Sequence, residues 1–464
     1  MHLHGPRPRW LLLGTVLAVA LGLAGPAVAA DPLATTLTLT ARGTYADSQT
    51  TLRLALADRT GAPVAEAAVA LERRLDGAWV ALDPVTTDAA GRASLPVTLS
   101  RQAGENEFRA SYAGSATYAA SRGRVQVELV RRQSTLVLSG PRSVVDERRV
   151  EIRIRWRAGN GEPVTGTVRL ARALGAGKWT TYRTLTTDAR GTAQVRVAPR
   201  RDSRWRATGV GRSWVEGARS AVHRIDNLPP GTPVRLPRGA PRPRRHLPAQ
   251  GHGVGAGPHL VVGRVPGPVW RDMRGVSWRP GCPVGRAGLK LVRVNYWDYS
   301  GYRRRGALVA AAAAARPMGA ALAQMYRREL PVRAMYRVDR FGWSARSHGG
   351  DDYASMAAGN TSAFNCRDVT GRPGVTSPHS YGRSLDLNTW ENPYRSARGL
   401  VPNTWWQSRS HPRVAWRSRT HEVVEIMTAH GFRWTYGLGD TQHFDWAPTG
   451  RVTGRVVGCR QFCD

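Results

Sequence analysis

The chain has 464 residues, a formal net charge of +35 and 41% hydrophobic side chains. At roughly 150 residues per domain this length is too great for one core and asks for about three. The charge is almost wholly arginine, with Lys178 and Lys290 the only lysines, and such a field favours polyanionic surroundings. The arginines are spread over every segment and form no single basic stripe interleaved with aromatics, which excludes a specific nucleic-acid site as the main function.

Residues 1–30 open with Arg7 and Arg9, continue through an apolar run from Trp10 to Leu23, and end on Gly25-Pro26 and the small residues Ala27-Val-Ala-Ala30. This is the layout of a secretory signal peptide, with cleavage expected after Ala29 or Ala30. The run is shorter than the ~20 residues of a spanning helix, and no later segment approaches one. The expected product is a secreted, extracellular or cell-wall-associated protein with no membrane span after signal cleavage.

Between residues 31 and 226 the sequence repeats with a period near 100. Gly61-Ala-Pro-Val64 returns as Gly161-Glu-Pro-Val164, Trp79 as Trp179, and Thr87-Asp88-Ala-Ala-Gly91 as Thr187-Asp188-Ala-Arg-Gly191. Two copies of one module are expected, 31–131 and 132–226. Apolar residues alternate in each, as in Val150-Glu-Ile152-Arg-Ile154, which puts one strand face in a core and the other in water. Many short strands in about a hundred residues describe a β-sandwich, and the segments resemble the immunoglobulin-like repeats of bacterial surface and secreted proteins, without an intradomain cysteine pair. The modules are read as spacers, with wall or carbohydrate binding as the alternative. The equivalence of Trp79 and Trp179 suggests core packing or a shared turn.

Residues 227–258 are dense in proline, glycine and arginine, a composition that cannot build a core and predicts a flexible basic linker. Residues 259–464 change to mixed α and β. Leu291 to Tyr296 and Val332 to Tyr336 read as strands, the alanine-rich Ala307 to Arg328 as a helix, Glu422 to His430 as a second helix stopped by Gly431, and Phe432 to Trp434 and His443 to Trp446 as strands. Arg333 and Arg337 fall where apolar residues are expected. All four cysteines, Cys282, Cys366, Cys459 and Cys463, lie here. In an exported chain an even number favours disulfides, with three connectivities open.

The chemistry concentrates in Ser377-Pro-His379-Ser-Tyr-Gly-Arg-Ser-Leu-Asp386 and Asp440-Thr-Gln-His443-Phe-Asp-Trp446. A zinc hydrolase needs three protein ligands, one open position and a base to take a proton from water. His379, Asp386 and His443 supply two imidazoles and a carboxylate. Gly382 permits the turn between the first two, and Asp440 precedes His443 on a glycine-rich turn, close enough to serve as the base. Ser377 is a candidate for supporting the ligands or substrate. Asp445 is read as structural, pointing away from the metal. His421-Glu422-Val-Val-Glu425 lacks the second histidine of a zinc helix and reads as a solvent-facing helix. His348-Gly-Gly-Asp351-Asp352 reads as a polar loop near the cleft.

Ser-x-His-x-x-Gly-x-x-x-Asp followed by Asp-x-x-His-Phe-Asp resembles the D-alanyl-D-alanine carboxypeptidase family of zinc peptidases. That family includes vancomycin-resistance dipeptidases and carboxypeptidases and phage endolysins, and it shares its fold with the hedgehog signalling domain. The resemblance extends from about Gly281 to Trp446, taking in Asn360 to Arg367 and Asp386-Leu-Asn-x-x-Glu391-Asn-Pro-Tyr394. It implies one zinc ion on His379, Asp386 and His443, Asp440 as general base and acid, and Arg367 as the cation that steadies an oxyanion or grips a substrate carboxylate. The implied protein is multidomain: two all-β immunoglobulin-like sandwiches followed by an α+β hedgehog-like zinc peptidase domain. Its implied partners are peptidoglycan stem peptides and anionic wall polymers. The alternative from another class is a non-catalytic wall-binding or adhesion protein with a structural zinc domain.

Overall fold

The computed structural model describes residues 31–369, 372–396 and 399–450. The expected signal peptide, Cys459 and Cys463 lie outside them. The architecture is multidomain and mostly β-sheet, with few helices.

In the first module the three-stranded sheet of Thr35–Thr40, Gln49–Asp58 and Arg92–Thr98 faces a second sheet built on Ala68–Leu75, Glu107–Tyr112 and Ser121–Gln126. Alternation decides the contact: Leu37, Leu52, Leu54 and Leu56 of one sheet meet Val69, Leu71, Phe108 and Ala110 of the other in one core. Each such leucine, valine or phenylalanine side chain, fully buried, contributes ~1.5–3 kcal/mol. The second module repeats the plan, with Ser134–Ser139, Val150–Ala158 and Thr192–Val197 against a sheet that includes Thr167–Leu174, Ser203–Gly209 and His223–Leu228. Trp156 and Trp205 fill its core.

The repeated motif does the same work in both copies. Thr87 Oγ1 donates to Val64 O and Thr187 Oγ1 to Val164 O, both at 2.7 Å. Gly91 and Gly191 share φ +68, and a Cβ there would stand 2.5 Å from Leu56 O and 2.4 Å from Trp156 O. Only glycine tolerates both the left-handed backbone and that approach. Of the two readings of Trp79 and Trp179, core packing is overturned and the shared turn holds: neither belongs to a core, each follows the turn at 76–77 or 175–176, and each lies half-exposed on the outer side of its module under two arginine side chains.

From residue 229 to 258 the chain has no strand or helix, as its composition requires, but it is not a free tether. Gly231 N donates to Gly301 O at 3.0 Å, Trp390 Nε1 to Pro241 O at 2.8 Å, and Met335 N to Gln250 Oε1 at 2.8 Å. Backbone that cannot pair with itself pairs instead with the C-terminal region.

That region contains one sheet of Val261–Arg264, Leu289–Trp297 and Arg303–Ala311 and another of Ser384–Asp386, His443–Trp446 and Phe432–Arg433. The helices Ala312–Arg327 and Glu422–Ala429 share one core with both sheets, in which Val292, Leu308, Met318, Leu322, Leu385, Val423 and Phe444 are buried. The alanine-rich helix starts five residues later than expected. Ala307 to Ala311 instead completes a strand, because Leu308 and Val309 are buried along its pairing with Leu289–Trp297, and a tertiary partner outweighs alanine's helix propensity. Val332 to Tyr336 is no strand; its one bridge joins Ala334 to Asn360. Arg333 is there to pair with Glu391, which is fully buried, and Arg337 pairs with Asp339 and Asp272, each at 2.8 Å. Of the open disulfide pairings the structure contains Cys282–Cys366.

Candidate metal centre

His379 sits in the 3-10 turn Pro378–Tyr381. Ser377 caps that turn by accepting the His379 N–H at 3.3 Å, so its observed task is to shape the backbone that carries the histidine. Gly382 ends the turn with φ +66. A Cβ at Gly382 would lie 2.6 Å from Ala311 N, which itself donates to Gly382 O at 2.7 Å, so the strand Arg303–Ala311 presses against the turn and only glycine fits. The next strand, Ser384–Asp386, runs antiparallel to His443–Trp446 with Asp386 directly opposite His443. Residues opposite one another share a face, and this register brings the carboxylate to the second imidazole.

His379, Asp386 and His443 are all buried, with their ligand atoms within 4.8 Å of one another. His379 Nε2 lies 3.1 Å from His443 Nδ1 and 3.2 Å from Asp386 Oδ2, and His443 Nδ1 lies 3.1 Å from Asp386 Oδ1. A tetrahedral ion with bonds of ~2.0–2.1 Å sets its ligand atoms about 3.3 Å apart, close to these spacings. Two imidazoles and one carboxylate also suit zinc chemically.

The remaining nitrogen of each imidazole is occupied. His379 Nδ1 meets Ala363 O at 2.7 Å and must donate to it, leaving Nε2 as the acceptor facing the centre. His443 Nε2 meets Asp445 Oδ1 at 3.0 Å, leaving Nδ1 toward Asp386. Asp445 is held in turn by Ser384 Oγ at 2.6 Å and Thr435 Oγ1 at 2.7 Å. Such contacts choose the tautomer and ring orientation of a metal ligand. Asp445 was expected to point away, but residues 443 and 445 share a face because a strand alternates with period two. The signal for its role was in the sequence.

Burial opposes charge on Asp386, yet His379 and His443 hold its carboxyl well below the usual carboxylate range. Burial likewise opposes the imidazolium of His443, and Asp445 and Asp386 overcome it, raising His443 well above its ordinary value. Asp445, also opposed by burial, is lowered by His443 and by the hydroxyls of Ser384 and Thr435. A cation bound among these groups would take over the attraction now supplied by that proton.

Asp440 is buried and follows the short turn Gly437–Gly439, three residues before His443. Its loop is pinned by the indole N–H groups of Trp416 and Trp434, which donate to Thr441 O at 2.5 and 3.0 Å. Arg367 is buried, and its guanidinium pairs with Asp352 at 3.1 Å. Its backbone joins the His379 turn: Arg367 O accepts from Ser377 N at 3.0 Å, and Arg367 N donates to Ser380 Oγ at 3.1 Å. Asp352, expected to be part of a polar loop, is thus the anchor of this cation. Its neighbour Asp351 caps the helix Asp352–Ala357, and His348 pairs with Asp368 at 2.9 Å. His421 caps the helix Glu422–Ala429, whose Val423, Val424, Ile426 and Met427 are buried, so the H-E-x-x segment is an amphipathic helix start and not a second metal motif.

Residues 370–446, which carry all three members of the cluster and Asp440, match a family model described as D-alanyl-D-alanine carboxypeptidase. The match supports a peptidase domain in this part of the chain. No curated protein matches the chain. Among solved structures, a Salmonella alpha-2-macroglobulin mutant aligns over 57% of this chain and 18% of its own at 13% identity, with a TM-score of 0.20. The Escherichia coli alpha-2-macroglobulin aligns over 60% and 23% at 11% identity, TM-score 0.22, and the D0-D1 domain of intimin over 41% and 98% at 15% identity, TM-score 0.17. The chain thus spans less than a quarter of either macroglobulin, and scores this low support no reading of function. Among the described residues no helix is long and apolar enough to cross a membrane.

Proposed function

We propose that the C-terminal region is a one-zinc peptidase of hedgehog-like fold that hydrolyses the stem peptides of bacterial peptidoglycan. Its bond preference is of the D-alanyl-D-alanine carboxypeptidase or endopeptidase type, and two immunoglobulin-like modules hold it at the wall outside the cell. The observation that carries this reading is the buried convergence of His379, Asp386 and His443, with the other nitrogen of each imidazole already engaged, inside the segment matched by the peptidase family model. In this reading the three residues hold the ion. Zinc, when bound, supplies Lewis acidity that polarises a peptide carbonyl and acidifies water.

The chain's own residues do the rest. The Asp440 carboxylate accepts a proton from the attacking water and delivers it to the nitrogen of the leaving amine, the paired base and acid steps that peptide hydrolysis requires. Asp445 and Ala363 keep the imidazoles in the ligating tautomer. Arg367 presents a permanent charge to the substrate carboxylate or the developing oxyanion. Its pairing with Asp352 fixes the guanidinium before substrate arrives, so little ordering remains to be done on binding.

The test is digestion of purified peptidoglycan by the full chain, read by mass spectrometry, with zinc content measured on the same sample. Stem peptides shortened at one defined bond, with activity lost on chelation and in His443→Ala and Asp440→Ala, are the expected result. Full activity in Asp440→Ala would refute the proposed proton path. Stoichiometric zinc with no cleavage would favour the non-catalytic binding protein.

A further inference from the structure

Each module carries a tryptophan on the outer side of its larger sheet, and each lies under two arginines, which come from the adjacent strands Glu107–Tyr112 and Ser121–Gln126 in the first module and from the one strand Ser203–Gly209 in the second. In the first module Arg109 and Arg124 stand 4.4 and 5.8 Å from the Trp79 ring; in the second Arg206 and Arg204 stand 4.5 and 5.5 Å from Trp179. Carboxylates separate the two copies. Arg109 makes a two-pronged pair with Glu72 at 2.5 and 2.9 Å, and Arg124 and Arg74 both pair with Glu107, so each arginine over Trp79 has a carboxylate partner.

The second face has no such partners. Arg204, Arg206 and Arg224 project from the adjacent strands Ser203–Gly209 and His223–Leu228, with Arg204 directly opposite Arg224. Arg169 and Arg219 flank them on either side of Thr208. None of the five forms an ion pair among the described residues, and Arg204 Nε is buried without a hydrogen-bond partner. Like charges directly opposite on a sheet are destabilising. Asp226 is the carboxylate two residues from Arg224, and it pairs with none of them. The fold therefore bears an uncompensated cationic face around one aromatic plate, on the copy whose sister shows how it is otherwise neutralised.

We infer that this outer face of the second module is a binding surface for a linear sugar-phosphate or polyol-phosphate polymer of the bacterial wall. Guanidinium groups match phosphate geometry with two donors each, and a half-exposed indole offers a flat apolar plate for the sugar or polyol between phosphates. A single ring with arginines around it suits such a polymer better than nucleic acid, whose successive bases call for several aromatic platforms. The choice of polymer rests on the proposed wall location, whereas the surface itself does not depend on peptidase activity.

The test is co-sedimentation of the full chain with purified wall sacculi, before and after acid removal of their phosphodiester polymers, over a salt series. The expected result is binding to untreated sacculi that is lost on stripping. The triple variant Arg204→Gln, Arg206→Gln, Arg224→Gln should lower the slope of log affinity against log salt by about 2, at ~0.7 per phosphate contact. Trp179→Ala should weaken binding without changing the slope. The variant Arg74→Gln, Arg109→Gln, Arg124→Gln, which loses the same charge from the first module, should bind as the wild type does. Equal loss in both triple variants would reduce the effect to net charge and overturn the surface, as would undiminished binding to stripped sacculi. Tighter binding to a single-stranded oligonucleotide than to sacculi would replace the polymer with nucleic acid. Soluble stem-peptide cleavage is measured alongside in the wild type and in the Arg204, Arg206, Arg224 variant: wild-type binding lost in the variant, with no cleavage by either, overturns the peptidase and leaves this surface standing, whereas cleavage by both with undiminished binding in the variant overturns the surface and leaves the peptidase.

Discussion

Replacing Asp445 tests whether the contacts behind the ligands set the properties of the site. Asp445→Ala removes the acceptor of His443 Nε2 at 3.0 Å and strands the buried hydroxyl of Ser384, while the half-buried Thr435 hydroxyl keeps Arg433 O as an alternative acceptor at 3.3 Å. Loss of a carboxylate that orients a ligating histidine costs about 10–100-fold in metal affinity, and the stranded Ser384 hydroxyl about 1–3 kcal/mol of stability. Asp445→Asn keeps the volume and an acceptor oxygen and removes only the charge, so its affinity should fall about 10-fold with a smaller loss of stability. The pH dependence separates electrostatics from packing. His443 is raised above its ordinary value, first against burial by Asp445, so the metal must displace a proton, and wild-type affinity should climb as pH rises from about 6.5. In Asp445→Asn the proton is held less tightly, and the deficit relative to wild type should be smaller at pH 6 than at pH 9. The assay is zinc competition against a chromophoric chelator across that range, with urea melts of the metal-free proteins. Wild-type zinc affinity in Asp445→Ala, or a deficit independent of pH, would refute the reasoning.

The same linkage gives the metal-free protein an opposite slope in stability. A raised His443 contributes stability that is complete below its unfolded pKa of ~6.5 and is lost as pH rises through the folded value, so urea midpoints of the apo protein should fall on the alkaline side, and added zinc should restore them. Gly382→Ala places a side chain at φ +66 and 2.6 Å from Ala311 N; it should destabilise by at least ~2 kcal/mol, read as a lower urea midpoint, and weaken zinc binding. Glu391→Gln leaves Arg333 facing Tyr299 and a buried amide in place of its counter-ion; breaking such a pair from one side costs about 3–5 kcal/mol, measurable by chemical denaturation. Cys282→Ser with Cys366→Ser opens a loop spanning a separation of 84 and should cost ~2–4 kcal/mol; an unchanged melting temperature would show that the segment is held by packing alone.

Much of the site was legible before the fold. The spacing of His379, Gly382 and Asp386, with His443 further on, named the three side chains that converge and the turn that lets them, because metal chemistry limits which side chains serve and a reversing chain needs a residue tolerant of positive φ. Period-two alternation and the internal repeat gave two β modules. What misled was local preference without its tertiary partner. Alanines 310 and 311 read as helix until Leu289–Trp297 claimed them as a strand, and Arg333 looked misplaced until Glu391 appeared beside it. Asp445 was within reach, since two residues along a strand is the same face.

The sequence alone determined the inventory of chemistry: which groups can ligate, where the chain must turn, and that one module occurs twice. Only the tertiary structure decided the pairings, because these depend on residues far apart in the chain. The antiparallel register sets Asp386 opposite His443, Cys282 joins Cys366, and Arg367 is moored to Asp352. The two copies of the module, nearly interchangeable as motifs, part company on their outer faces: Glu72 and Glu107 pair with the arginines around Trp79, and those around Trp179 form no ion pair among the described residues.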